Sequence, residues 1–184
     1  MKATEQLKHE HEAVLLMLHI LESVSERLEK GEFVDTAHID SIIDFLKIFV
    51  DKCHHGKEEL LLFPLLESKG IHKEGGPIGV MLTEHNSGRE IVKNLAEENQ
   101  KKYKGDKGAD YRLKENIDRY ISLLNMHISK ENNILFAIAD GKLTSSEQAQ
   151  LFDEFEELEE KEIGQGKHEE LHKMLKQLST IYLH

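Results

Sequence analysis

The chain has 184 residues, of which 32% are charged, and carries a formal net charge of −11. So acidic a molecule is repelled by nucleic acid and by anionic membrane surfaces, and no apolar run is long enough to span a bilayer, so neither is expected as a partner. Nothing at the N-terminus reads as a signal peptide, and the single cysteine, Cys53, excludes an intrachain disulfide framework, so a cytoplasmic setting is expected.

In chain order, a first helix is expected over 2–30, with apolar residues at Leu7, Val14, Leu18, Leu21 and Leu28 and a stop at Gly31. A second should run from Thr36, capped by Asp35, to about Ser68. Its stripe is Ile39, Ile43, Leu46, Val50, Leu61 and Leu65, and Pro64 should kink it or end it early. "SKGIHKEGG" reads as a linker, and Pro77 suits the first position of a third helix over 77–103. After the glycine-rich "YKGDKGAD", a fourth helix over 110–140 carries Ile117, Ile121, Leu124, Leu135 and Ile138 and should stop at Gly141. Thr144 and Glu147 have capping-box spacing, and the tail beyond them reads as one or two helices broken near "GQG" at 164–166. No segment alternates as a strand does. The expected fold is all-α: an up-down-up-down four-helix bundle over 1–141, with a C-terminal helical extension over 142–184 packing on it, as a monomer or homodimer. The acidic "FDEFEELEEKE" reads as a solvated helix face.

Polar residues intrude on these apolar stripes. His54 and Glu58 fill the gap between Val50 and Leu61, and His127 and Glu131 fill the gap between Leu124 and Leu135. His11 lies between Leu7 and Val14, and His85 between Ile78 and Val92. A carboxylate in a bundle core is unfavourable unless it is paired or binds a metal. The spacing also repeats. "EH" occurs at 10–11 and 84–85, and "HHGKEELLLF" at 54–63 resembles "HISKENNILF" at 127–136. A helix pair used twice, with a pseudo-two-fold axis, follows from this. In the second copy His55 is replaced by Ile128 and Glu59 by Asn132, so the repeat selects the pair His54/Glu58.

Side chains at i and i+4 lie one turn apart on one helix face. Two such His/Glu pairs and two further histidines can hold two metals, with two imidazoles on each and Glu58 and Glu131 bridging. That leaves room for an oxo or hydroxo bridge and an external ligand. Mixed nitrogen and oxygen donors with open positions fit iron best and manganese next, while zinc favours a tighter tetrahedral set.

The order His, His-x-x-x-Glu, His, His-x-x-x-Glu on four successive helices resembles the hemerythrin-like family, the HHE cation-binding domains, over residues 3–140. The resemblance implies a non-heme di-iron site with His11, His54, Glu58, His85, His127 and Glu131 as metal ligands. It also implies binding of O2, NO or peroxide, for storage, carriage or sensing. The alternative is a di-iron enzyme acting on peroxide or NO, or an iron donor for repair of damaged iron centres. Oxygen-carrying hemerythrins have two histidines one turn apart on the third helix; here Met81 stands one turn before His85, giving six protein ligands rather than seven.

Other residues read more plainly. His9, His38, His55, His72 and His184 are expected to face solvent. Lys57 and Lys130 read as solvated or salt-bridged lysines. Glu10 and Glu84 read as surface helix residues, with a role in orienting the histidines as the alternative, and His19 as a partly buried structural histidine. Cys53 reads as a small packed residue. "HEELH" at 168–172 matches the zinc-protease motif His-Glu-x-x-His, but no third ligand follows it, so it reads as the polar face of an accessory helix.

Overall fold

Asp35 accepts a hydrogen bond from the Ala37 amide at 2.9 Å, and Thr144 and Glu147 close a capping box, so two helix starts are set by the expected side chains. The computed structural model describes residues 1–184, except for the side chain of Gln165. It consists of six helices: α1 (Ala3–Glu29), α2 (36–68), α3 (Pro77–Tyr103), α4 (109–142), α5 (Ser145–Glu162) and α6 (Gln165–Tyr182). Among the described residues there is no strand, and no helix is long and apolar enough to cross a membrane.

Two of these helices are irregular. Inside α2 the segments Leu46–His55 and Glu58–Leu62 are π-helical, and inside α4 so is Glu131–Leu135. A π turn closes its hydrogen bonds over one more residue than an α turn, which shifts the buried face by one position. The consequence is visible in the stripe. Leu61 and Leu65 are only partly buried, whereas Leu62 and Leu66 are fully buried. In α4 the buried residue is Ala139 rather than Ile138. Pro64 does not end α2, because it stands at the start of the α-helical segment Phe63–Ser68, just after a π turn, where a missing amide hydrogen is tolerated. α4 likewise runs through Gly141 to Lys142.

The apolar core has two parts. At one end Leu18, Leu21, Phe49, Leu95 and Ile117 cluster with Leu171, Leu175 and Leu178 of α6. At the other, Leu7, Phe63, Leu66, Met81 and Phe136 cluster with Leu151 and Phe155 of α5. Each such side chain contributes about 1.5–3 kcal/mol through burial. Phe155 falls inside the acidic "FDEFEELEEKE", so that segment has a buried side as well as a solvated one. Between the two clusters lies a layer of buried histidines and charged groups.

Candidate metal centre

The four helices α1–α4 each send a histidine into this layer. His11, His54, His85 and His127 are 1–2% exposed, and Glu58 and Glu131 are fully buried. All six residues singled out from the sequence therefore meet. A fifth histidine joins them. His55, expected in solvent, is 5% exposed and turned inward. On a regular α-helix His54 and His55 would diverge too far to serve one site. The π-helical turn that ends at His55 spreads one revolution over more residues, so adjacent side chains diverge less.

The donors fall into two groups, each with its ligand atoms within 4.8 Å of one another: His11, His54, Glu58 and Glu131, and His55, Glu58, His85 and His127. Glu58 belongs to both, with Oε1 3.6 Å from His54 Nε2 and Oε2 3.4 Å from His85 Nε2. Glu131 belongs to the first group alone, with Oε2 3.1 Å from His11 Nε2, but its Oε1 also lies 3.1 Å from His127 Nε2 of the second. None of the five Nε2 atoms and none of the four carboxylate oxygens has a hydrogen-bond partner. Buried polar atoms in proteins are normally satisfied. Nine that converge without partners fit a bound cation.

Each imidazole is oriented from behind. His54 Nδ1 donates to Glu10 at 2.7 Å, His85 Nδ1 to Glu59 at 2.7 Å, His127 Nδ1 to Glu84 at 2.9 Å and His11 Nδ1 to Asn132 at 2.8 Å. Such partners fix the tautomer that turns an unprotonated Nε2 into the layer and raise its basicity. Glu10 and Glu84 are thus orienting groups rather than surface residues. Phe63 and Phe136 stack on His85 and His11 at 5.9 Å and 5.6 Å between ring centroids. The repeat is therefore real in three dimensions, down to its aromatic backing.

The charges respond to this crowding. Burial opposes ionisation of His85, but Glu131, Glu58 and Glu59 outweigh it and push the imidazole up to about 11. Burial likewise disfavours the Glu131 carboxylate, and His127, with His11 and His85, still holds it well below the usual range. For His55 burial and the neighbouring imidazoles act together and push it well below 6.5. A neutral imidazole is the form that binds a metal. Burial also opposes ionisation of Glu10, yet His54 and Lys57 hold it at about 2.

The remaining histidines take no part. His19 pairs with Glu22 on the surface, and His9, His72 and His184 are exposed. His38 is partly buried, not solvent-facing, and bonds the Tyr182 hydroxyl at 2.9 Å. The "HEELH" pair, His168 and His172, packs against Phe49 on α2 and belongs to neither donor group. Lys57 is fully buried and ion-paired, not solvated. Cys53 is packed as expected, its thiol pushed up by burial.

Comparison with known proteins bears directly on this geometry. The model of the hemerythrin HHE cation binding domain matches residues 2–139. The chain belongs to the hemerythrin family. Uncharacterized proteins of Mycobacterium bovis and of two Mycobacterium tuberculosis strains are each 23% identical to this chain over 164 residues, covering 89% of it. The chain spans 64% of the length of those relatives. No solved structure matches it. As a member of a cation-binding family it brings the family's residue types together in a buried layer whose free donor atoms suit a cation.

Proposed function

We propose that this layer holds two iron ions, bridged by Glu58 and Glu131, and binds O2 or NO. The observation that carries the reading is the placement of the two carboxylates, whose four oxygens are unpartnered: Glu58 is common to both donor groups, and Glu131 lies 3.1 Å from His11 Nε2 on one side and from His127 Nε2 on the other. Five imidazoles and two carboxylates, with no thiolate among them, suit iron ahead of zinc. A pair of iron ions supplies electrons and open coordination positions for a small ligand. The protein's part is to hold the two sides unequal. One side has His11, His54, Glu58 and Glu131; the other has His55, His85, His127 and Glu58. His55 thus takes the place of the third-helix histidine that Met81 replaces.

Access to the layer suits a small ligand. A cavity of about 430 Å3 runs between α2 and α3 to His55 and His85; Leu46, Val50, Val92, Ala96 and Tyr120 line it together with the charged Lys47, Asp51, Arg89, Lys93 and Glu97. The lone, packed Cys53 supports a reducing cytoplasmic setting.

The test is anaerobic reconstitution with ferrous iron, followed by metal analysis and optical spectra on adding O2, NO and peroxide. Two irons per chain and a reversible spectral change with O2 or NO are expected. Fewer than one iron per chain, or full loading of a His54→Ala, Glu58→Ala double variant, removes the basis of the reading. Rapid consumption of peroxide would instead mark an enzyme.

A further inference from the structure

Glu159 lies on α5, beyond the residues matched to the family, yet it joins the chain of contacts that ends on His54. Lys57 Nζ donates to Glu159 Oε2 at 2.6 Å and to Glu10 Oε1 at 2.5 Å, and Glu10 Oε2 accepts from His54 Nδ1 at 2.7 Å. The Lys57 side chain is 0% exposed, Glu10 8% and Glu159 18%. The second oxygen of Glu159 faces His168 Nε2 at 3.4 Å, and the Cys53 thiol donates to the first at 3.6 Å. The other copy of the repeat stops one member short. Lys130 pairs with Glu84, which holds His127, but Lys130 is 33% exposed, and among the described residues no second carboxylate closes on it.

We propose that Glu159 is a positioning residue for the half of the centre built on His11 and His54, and that α5 and α6 thereby make the two halves unequal. The assignment rests on reading the layer as a two-metal centre. On the His54 side two carboxylates flank one ammonium, leaving one excess negative charge in a water-poor setting. On the His127 side one carboxylate meets one ammonium and water screens both. Uncompensated charge is felt more strongly where the dielectric is low. It strengthens the pull of Glu10 on the His54 Nδ1 proton and so the donor strength of Nε2. Glu159 also pins Lys57, which keeps Glu10 from turning away from His54.

The test uses the full chain, loaded anaerobically with ferrous iron against a competing chelator. Glu159→Gln is compared with wild type, with Glu160→Gln at the adjacent, exposed position of α5, and with His54→Ala and His127→Ala to identify each ion. Loss of a partner behind a ligand weakens a metal roughly 10–100-fold. Glu159→Gln is expected at the low end, weakening about tenfold the ion that His54→Ala also loses, with the second ion and the helical content unchanged. Glu160→Gln should bind as wild type. Two ions held as tightly in Glu159→Gln as in wild type, or both weakened together, overturn the assignment. Wild-type protein that takes up no iron overturns the two-metal reading first, and this assignment with it.

Discussion

His55 is held less firmly than its four imidazole neighbours. Its Nδ1 lies 3.4 Å from Asp51, against 2.7–2.9 Å for the bonds behind His11, His54, His85 and His127. Its ring stacks on His85 at 3.8 Å and lines the cavity. Ile128, its counterpart in the repeat, is a buried aliphatic residue, so His55→Ile should fold normally. Removing even an outer partner of a ligand costs roughly 10–100-fold in metal affinity. His55→Ile should therefore weaken the ion beside His85 and His127 by at least tenfold and leave the other in place, as measured by chelator competition. The six principal donors were legible in the sequence because they are polar residues on apolar stripes that occur twice. His55 was not, because the same repeat argued against any residue without a counterpart. Glu10 and Lys57 were closer to legible than their plain reading suggested. Both recur, as Glu84 and Lys130, and a carboxylate and an ammonium conserved between two copies of one motif can pair in both.

At the scale of the helices, the π turns decide what faces inward. The sequence rhythm located every long helix, since period and caps are local properties. It misplaced the face of α2 beyond His55 by one residue, because a change of hydrogen-bond register leaves no local mark in composition. The contacts that tie α1, α2 and α5 together at Lys57 also have a pH signature. Glu10 stands at about 2 in the folded chain against an ordinary 4.5, held down by His54 and Lys57 against the opposing effect of burial. Its folded value is depressed, so the stability it contributes is complete above about pH 4.5 and is lost as the pH falls towards 2. The difference amounts to at most about 3 kcal/mol. Denaturant titrations of metal-free protein should show wild type more stable than Glu10→Gln at pH 6, with the gap closing between pH 4.5 and pH 2.

For the whole molecule, the four-helix arrangement follows from helix count and short connections, and was readable from the start. How closely the tail joins the bundle was not. Leu171, Leu175 and Leu178 are each 3% exposed and complete one apolar cluster, while Leu151 and Phe155 complete the other. Nothing in a short amphipathic helix names the surface that will cover it, so this had to come from tertiary packing. The asymmetry of the centre belongs to the same scale. The repeat builds a nearly two-fold frame, and two departures from it, His55 within the bundle and Glu159 outside it, fall on opposite halves.

The division of the core has a consequence for the life of the protein. Two apolar clusters are separated by a plane of buried imidazoles and carboxylates whose facing donor atoms lack partners, and a divalent ion bound there would turn that plane from a weakness into a cross-link between four helices. A ligand present at one hundred times its dissociation constant stabilises the folded chain by about 2.7 kcal/mol. Calorimetry should accordingly show ferrous iron raising the melting temperature of wild type and not of Glu58→Ala. Chains made during iron scarcity would open more often and present themselves to proteases, so the abundance of the protein would itself rise and fall with the supply of metal.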